Sequence, residues 1–110
     1  MKPLYFHNPK FRMGKNLTVR RGVKWDVGEK ENIGIIDTND PLTDDGKDKI
    51  IKVVNIETKV MRFLDISSSG DYYFEHDPKY ETFSGLLNKM NSIYPGFNIS
   101  EIVTLVYFDF

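Results

Sequence analysis

The chain has 110 residues, no cysteine and a formal net charge of −1, with 40% hydrophobic and 14% aromatic residues. That length reads as one domain, 1–110, with enough apolar mass for a real core. Lack of cysteine excludes disulfides, zinc–thiolate sites and thiol nucleophiles and suits a reducing, cytoplasmic setting. No run approaches the roughly 18 apolar residues of a membrane span, and the opening MKPLYFHNPK lacks the apolar stretch of a secretory signal.

Residues 3–6 (PLYF) are apolar and predict a short first strand. HNPKFRMGK then combines Pro9, Gly14 and positive charge, which reads as a loop or a single helical turn. Over 16–21 the residues alternate. Leu17 and Val19 point one way and Asn16, Thr18 and Arg20 the other, a strand with one polar side that Gly22 closes. Trp25 and Val27 lead to Gly28, and Ile33, Ile35 and Ile36 form another β-like run. Residues 37–48 (DTNDPLTDDGKD) are a turn-rich acidic loop. Its spacing does not fit an EF-hand, whose glycine falls elsewhere.

The longest β-rich stretch is 49–64, where Val53, Val54, Ile56, Thr58 and Val60 are β-branched. The doublets Ile50-Ile51 and Val53-Val54 break strict alternation and predict either a bulge or burial on both faces. SSSGDYY interrupts the pattern. Phe83, Leu86, Leu87, Met90 and Ile93 then make one apolar stripe at helical spacing, predicting a helix over 82–93. Thr82 suits its N-cap and Pro95-Gly96 its stop. The closing EIVTLVYFDF predicts a strand of mixed burial. Strand, loop, several strands, helix, strand is the order of a mixed α+β or small barrel domain. There are no internal repeats.

Charge is unevenly divided. Residues 1–30 hold eight Lys/Arg against two acids, a balance of +6, while 31–110 hold seven against fourteen, a balance of −7. Such asymmetry points to a polyanion-facing surface, or to a solvated basic face with no partner. RNA binding needs cations for phosphates and rings for unpaired bases. Segment 1–30 offers Arg12, Lys15, Arg20, Arg21 and Lys24, interleaved with Tyr5, Phe6, Phe11 and Trp25. Core packing is the alternative role for Trp25 and Phe11. His7 and His76 are far apart and unsupported by cysteine, so neither a metal site nor a cofactor is implied.

Three blocks stand in an informative order: GKNLTVRRG at 14–22, KVVNIETKVMRFLDIS at 52–67, and a helix ending in IYPG at 93–96 ahead of the apolar last strand. As a set they resemble the ASCH domain family, relatives of the PUA domain. Its members show G-x-K-x-x-x-x-R along an early strand, an L-x-D-I-like phrase ending a middle strand, and a late helix running into Tyr-Pro. Lys15 and Arg20 keep the K-x-x-x-x-R spacing, and Thr18 sits where active members carry a hydroxyl. Gly14 directly precedes the lysine, with Met13 at the glycine's usual place. The resemblance implies a small, mostly antiparallel PUA-like β-barrel with one clear helix in its C-terminal half. It also implies RNA or nucleoside binding in a cleft lined by Lys15, Thr18, Arg20 and Arg21.

One branch of that family consists of small amidohydrolases that deacetylate acetylcytidine, for which a Lys, a Thr and a Glu are proposed to act. Lys15 and Thr18 match the first two by position. The ungapped position of the carboxylate is Lys79, so Asp77 is the nearest acid, with Glu75 or Glu81 as further candidates. In such chemistry Thr18 is the nucleophile or orients a water, and Lys15 is a base if its pKa falls well below about 10.4. The expected function is therefore RNA or nucleoside binding. The alternatives are an acetylcytidine-type amidohydrolase and a protein-interaction module whose basic face meets an acidic partner.

Overall fold

The protein was analysed as a computed structural model, which describes residues 2–7, 9–23, 31–38 and 49–110. Five strands, β1 (Lys2–Phe6), β2 (Lys15–Arg21), β3 (Glu31–Asp37), β4 (Lys52–Arg62) and β5 (Ile102–Asp109), form one sheet in the order β1-β3-β4-β5-β2. A short helix α1 (Asp65–Ser69), 3-10 turns at 71–74 and 78–80, and the main helix α2 (Phe83–Ile93) lie between β4 and β5. The class is α+β, as expected from the element order.

The middle of the sheet follows from side-chain alternation. In β4, Val54, Ile56 and Thr58 are buried, whereas Val53, Asn55, Glu57 and Lys59 point outward. The Val53-Val54 doublet thus contains neither a bulge nor a doubly buried pair. Val53 is 49% exposed, and Ile50 and Ile51 precede the strand. β5 differs, because Val103 to Phe108 are all buried. The mixed burial expected there is replaced by burial on both faces. Val103, Leu105 and Tyr107 join Leu17, Val19, Phe63, Leu86 and Met90 in one core. Val106 and Phe108 join Leu4, Phe6, Ile33, Ile35, Val54 and Ile56 in a second core across the strand. A continuous apolar run suits a central strand covered on both sides.

α2 covers the first core. Thr82 caps it, its Oγ1 accepting from the Gly85 N–H at 3.1 Å. Leu86 and Met90 are fully buried while Phe83 and Leu87 pack at the margin. Ile93, the last residue of the predicted stripe, is 52% exposed. The chain then turns at Gly96, whose φ of +79° lies in the left-handed region that glycine tolerates.

Among the described residues the sheet is open and mixed, and the closure of the expected barrel is not seen. β2–β5, β3–β4 and β4–β5 are antiparallel, but β1 runs parallel to β3. β1 and β2 are the two sheet edges and share no ladder among the described residues. The second core explains the curl that brings them close, since β1 must fold over β5 to cover Val106 and Phe108. Closure would require β1 and β2 to exchange backbone hydrogen bonds. Instead a side chain spans the gap, Arg20 Nη2 donating to the Tyr5 carbonyl at 2.9 Å.

This register gives opposite expectations for two aliphatic residues. Leu105→Ala, at the first core's centre, lowers unfolding free energy by about 2–5 kcal/mol. Val53→Ala, on the outer side of β4, lowers it by less than about 1 kcal/mol. Urea denaturation midpoints of the two variants check the assignment.

Candidate functional site

The polar side of β2 faces a cleft. Pairing with β5 makes β2 a regular strand, so Asn16, Thr18 and Arg20 share one side and Lys15, Leu17, Val19 and Arg21 the other. Asn16 is buried and serves the preceding loop, accepting from the Arg12 N–H at 3.1 Å and donating to the Arg12 and Gly14 carbonyls. Thr18 and Arg20 border a cleft of about 340 Å³ between the β1 and β2 edges. Tyr5, Phe6 and His7 form its β1 wall, and Lys89, Ile93 and Tyr94 its helical wall, with His76 at the base.

Arg20 is the main charged group of that cleft. Its guanidinium carbon sits 5.1 Å from the centroid of the Phe6 ring, and its buried Nε has no hydrogen-bond partner. Burial lowers its pKa, opposed by the charges of Tyr94 and Glu75, yet a guanidinium stays ionised in proteins. The result is a half-buried cation beside the Phe6 ring, where an anion or a polarised ring gains more than it would in open water.

A buried charge cluster holds the base of the cleft. The 71–80 segment crosses β2, where the His76 N–H donates to the Leu17 carbonyl at 2.8 Å. This places Glu75 inside the fold at 0% exposure. Glu75 Oε1 accepts from Lys89 Nζ at 2.8 Å and from His76 Nδ1 at 2.7 Å, while Oε2 has no partner. His76 Nδ1 is also 3.1 Å from the Leu17 carbonyl. Facing two acceptors, that nitrogen carries the proton. Burial pushes the Glu75 carboxyl up, but the hydrogen bonds and charges of His76 and Lys89 outweigh it and hold the pKa below the usual range.

The residues singled out from the sequence divide between several places. Thr18 and Arg20 share the cleft. Lys15 lies on the opposite side of β2, its Nζ 4.4 Å from the Phe74 ring centroid and 4.6 Å from that of Tyr107, in a separate groove with Glu57 and Asp109. Lys15 and Thr18 are therefore not brought together. Arg12 acts as a staple, its Nη2 donating to the Glu75 carbonyl at 2.6 Å and pairing with Glu81 at 3.2 Å. Arg21 pairs with Glu101 at 2.7 Å. Asp77 accepts from the Lys79 N–H, capping the turn at 78–80. Of the three acids considered, Glu75 alone is fully buried. Phe11 packs at the second core, 4.8 Å from Phe6 and 4.5 Å from Phe110. Lys24, Trp25 and residues 39–48 of the acidic loop lie outside the described residues.

Lys89 was not singled out, although a signal exists. It stands three residues after Leu86 and four before Ile93, along the margin of the apolar stripe. A cation there needs an acid to meet it. Among the described residues no group of three or more His, Asp or Glu is placed to hold a metal ion, and no helix is long and apolar enough to cross a membrane. A scan against protein-family models found no match, and searches of curated proteins and of solved structures returned none.

Removing one member of the cluster leaves a buried charge uncompensated. Lys89→Ala is expected to cost about 3–5 kcal/mol in denaturant unfolding. The pH dependence follows from the depressed Glu75 pKa. Its stabilisation is fully present above the ordinary carboxylate range and is lost as pH falls through the lowered folded value. The stability gap between wild type and Glu75→Gln is therefore widest near neutrality and narrows in acid. A gap unchanged across that range would contradict the ion pairing.

Proposed function

We propose that this chain is an ASCH-type domain of the PUA-like class that binds RNA or a nucleoside in the cleft between β1 and β2. The observation that carries the reading is the cleft itself. The alternating polar residues of β2 border a concavity of about 340 Å³, within the range of roughly 300–1,000 Å³ typical of small-ligand sites. Its walls combine a half-buried guanidinium, a threonine hydroxyl and the rings of Tyr5 and Tyr94. Phosphate attraction by cations and stacking of bases on aromatic faces are the forces that hold unpaired nucleic acid. The curl of the sheet, with its edges bridged by Arg20, supports a barrel-derived architecture. The absence of cysteine fits a cytoplasmic setting.

Arg20→Ala tests this reading. Losing a hydrogen-bonding cation should weaken binding of single-stranded RNA roughly tenfold to a hundredfold. Wild-type affinity should also fall steeply with salt, because phosphate contacts release counterions. Fluorescence anisotropy with a labelled oligoribonucleotide, alongside calorimetry with free nucleosides, measures both. No binding of either at low salt would end the proposal.

One observation favours a second reading, the amidohydrolase. Thr18 and Lys89 line the same cleft, and Lys89 is hydrogen-bonded to Glu75. These are the three residue types the acetylcytidine branch uses, with Lys89 in place of Lys15. Amide hydrolysis would need Thr18 or a water as nucleophile and the Lys89–Glu75 pair for proton transfer. Incubation with acetylcytidine should then release cytidine in wild type and not in Thr18→Val. Absence of turnover in the wild type removes this reading and leaves binding untouched.

A further inference from the structure

The backbone of β2 offers a recognition element that its side chains do not. Gly22 N–H donates to the Ile102 carbonyl at 2.9 Å, and Phe110 N–H donates to the Gly14 carbonyl at 3.0 Å. With the register Arg21↔Val103 and Lys15↔Asp109, these bonds fix which residues of β2 face β5. The even-numbered residues turn their N–H and C=O inward, and Lys15, Leu17, Val19 and Arg21 turn theirs outward. At Leu17 the outward edge is covered by His76, whose N–H takes the carbonyl. Past that point the 71–80 segment departs into its turn. Val19 is the next outward residue, and it borders the cleft. Among the described residues β2 has no strand partner other than β5.

An extended residue on a free edge presents its N–H and C=O side by side in one direction. In a sheet that pair exchanges two hydrogen bonds with a matching residue on the next strand. A nucleobase carries the same complement on its pairing edge: an acceptor next to a donor, in one plane. Single-stranded RNA is read on that edge, which a duplex conceals.

A second observation argues for a flat ring here and against an added peptide strand. The gap to β1 is spanned by Arg20, whose Nη2 occupies the Tyr5 carbonyl, and His76 stops the edge at Leu17. A continuing strand needs a clear run of alternating outward residues, whereas a base needs one. Tyr94 and Ile93 supply apolar surface in the same cleft, and Arg20 lies next to Val19 in sequence to meet a phosphate or a carbonyl.

We propose that the Val19 backbone N–H and C=O grip the pairing edge of an unpaired nucleobase, so that the cleft admits bases whose pairing edge is free and rejects those whose edge is paired or alkylated. This rests on the nucleoside reading above and specifies how that site would choose its ligand. The specificity would be for the state of the base, unpaired and unmodified at the edge, because one backbone donor and one acceptor meet the pairing edge of any base.

The test uses isotope-labelled full-length protein and four uncharged nucleosides: uridine, 3-methyluridine, cytidine and N4,N4-dimethylcytidine. On adding uridine or cytidine, the Val19 amide resonance should move downfield and its exchange with solvent should slow. Each methylated partner should bind at least about tenfold more weakly, since one hydrogen bond is lost and its protein partner is left unpaired. If all four bind equally, moving Thr18 and His76 resonances but not the Val19 amide, the backbone grip is wrong and nucleoside binding stands. If none of the four moves any resonance of the cleft, the nucleoside reading fails and the grip fails with it.

Discussion

Burial of both faces of β5 is the constraint from which the rest of the architecture follows. A strand whose side chains are apolar on both sides gains little unless each side receives its own cover. α2 with Phe63 and Phe97 supplies one cover, and β1 with β3 and β4 supplies the other. Because β1 belongs to the same sheet as β5, it can cover that sheet only if the sheet curls. The curl brings the β1 edge close to the β2 edge. The cleft is thus the residue of an almost closed sheet, and a loss of apolar contact in the second core would widen it before it touched any polar group in it.

The buried cluster of Glu75, His76 and Lys89 belongs to this arrangement and is more than an ornament of the cleft. Burying a carboxylate is costly, and a single surface ion pair would not offset it. Here one oxygen meets two donors, and Arg12 binds the Glu75 carbonyl from the other side. The cluster ties α2 to the 71–80 segment, and that segment to the middle of β2 through Leu17 and His76. It therefore fixes where the outward edge of β2 stops being covered. The unpartnered Glu75 Oε2 shows that the cluster is not saturated.

Much of this was legible from residue order, and the failures have a common cause. α2 announced itself by its stripe and its Thr82 cap, and β2 by its alternation, because both signals are local. β4 was legible as a strand, but its doublets were misleading: the sheet buries one face of Val53-Val54 and leaves the other outside. α1 spans five residues, too short to carry a helical signal of its own. The parallel pairing of β1 with β3 left no trace in the sequence, since it joins 2–6 to 33–37 across β2 and residues outside the described ones. That pairing makes the sheet mixed, where a purely antiparallel one was the simpler expectation. Lys89 was hidden for a related reason. Its significance depends on Glu75, fourteen residues upstream, arriving beneath it.

Strand parity also redistributes the chemistry that the K-x-x-x-x-R spacing had grouped. Arg20 stands five positions after Lys15, and an odd offset along a strand sends side chains to opposite faces. Lys15 accordingly rests between the rings of Phe74 and Tyr107, where Lys59 also approaches and the Tyr107 hydroxyl donates to Asp71. Arg20 and Thr18 remain on the cleft. A mechanism requiring Lys15 and Thr18 on one substrate atom would need a one-residue bulge between them, because three positions of regular strand keep their side chains on opposite faces in any register. No such bulge exists, since Lys15 to Arg21 pair without interruption with Asp109 to Val103. If a lysine serves Thr18, the fold leaves that task to Lys89.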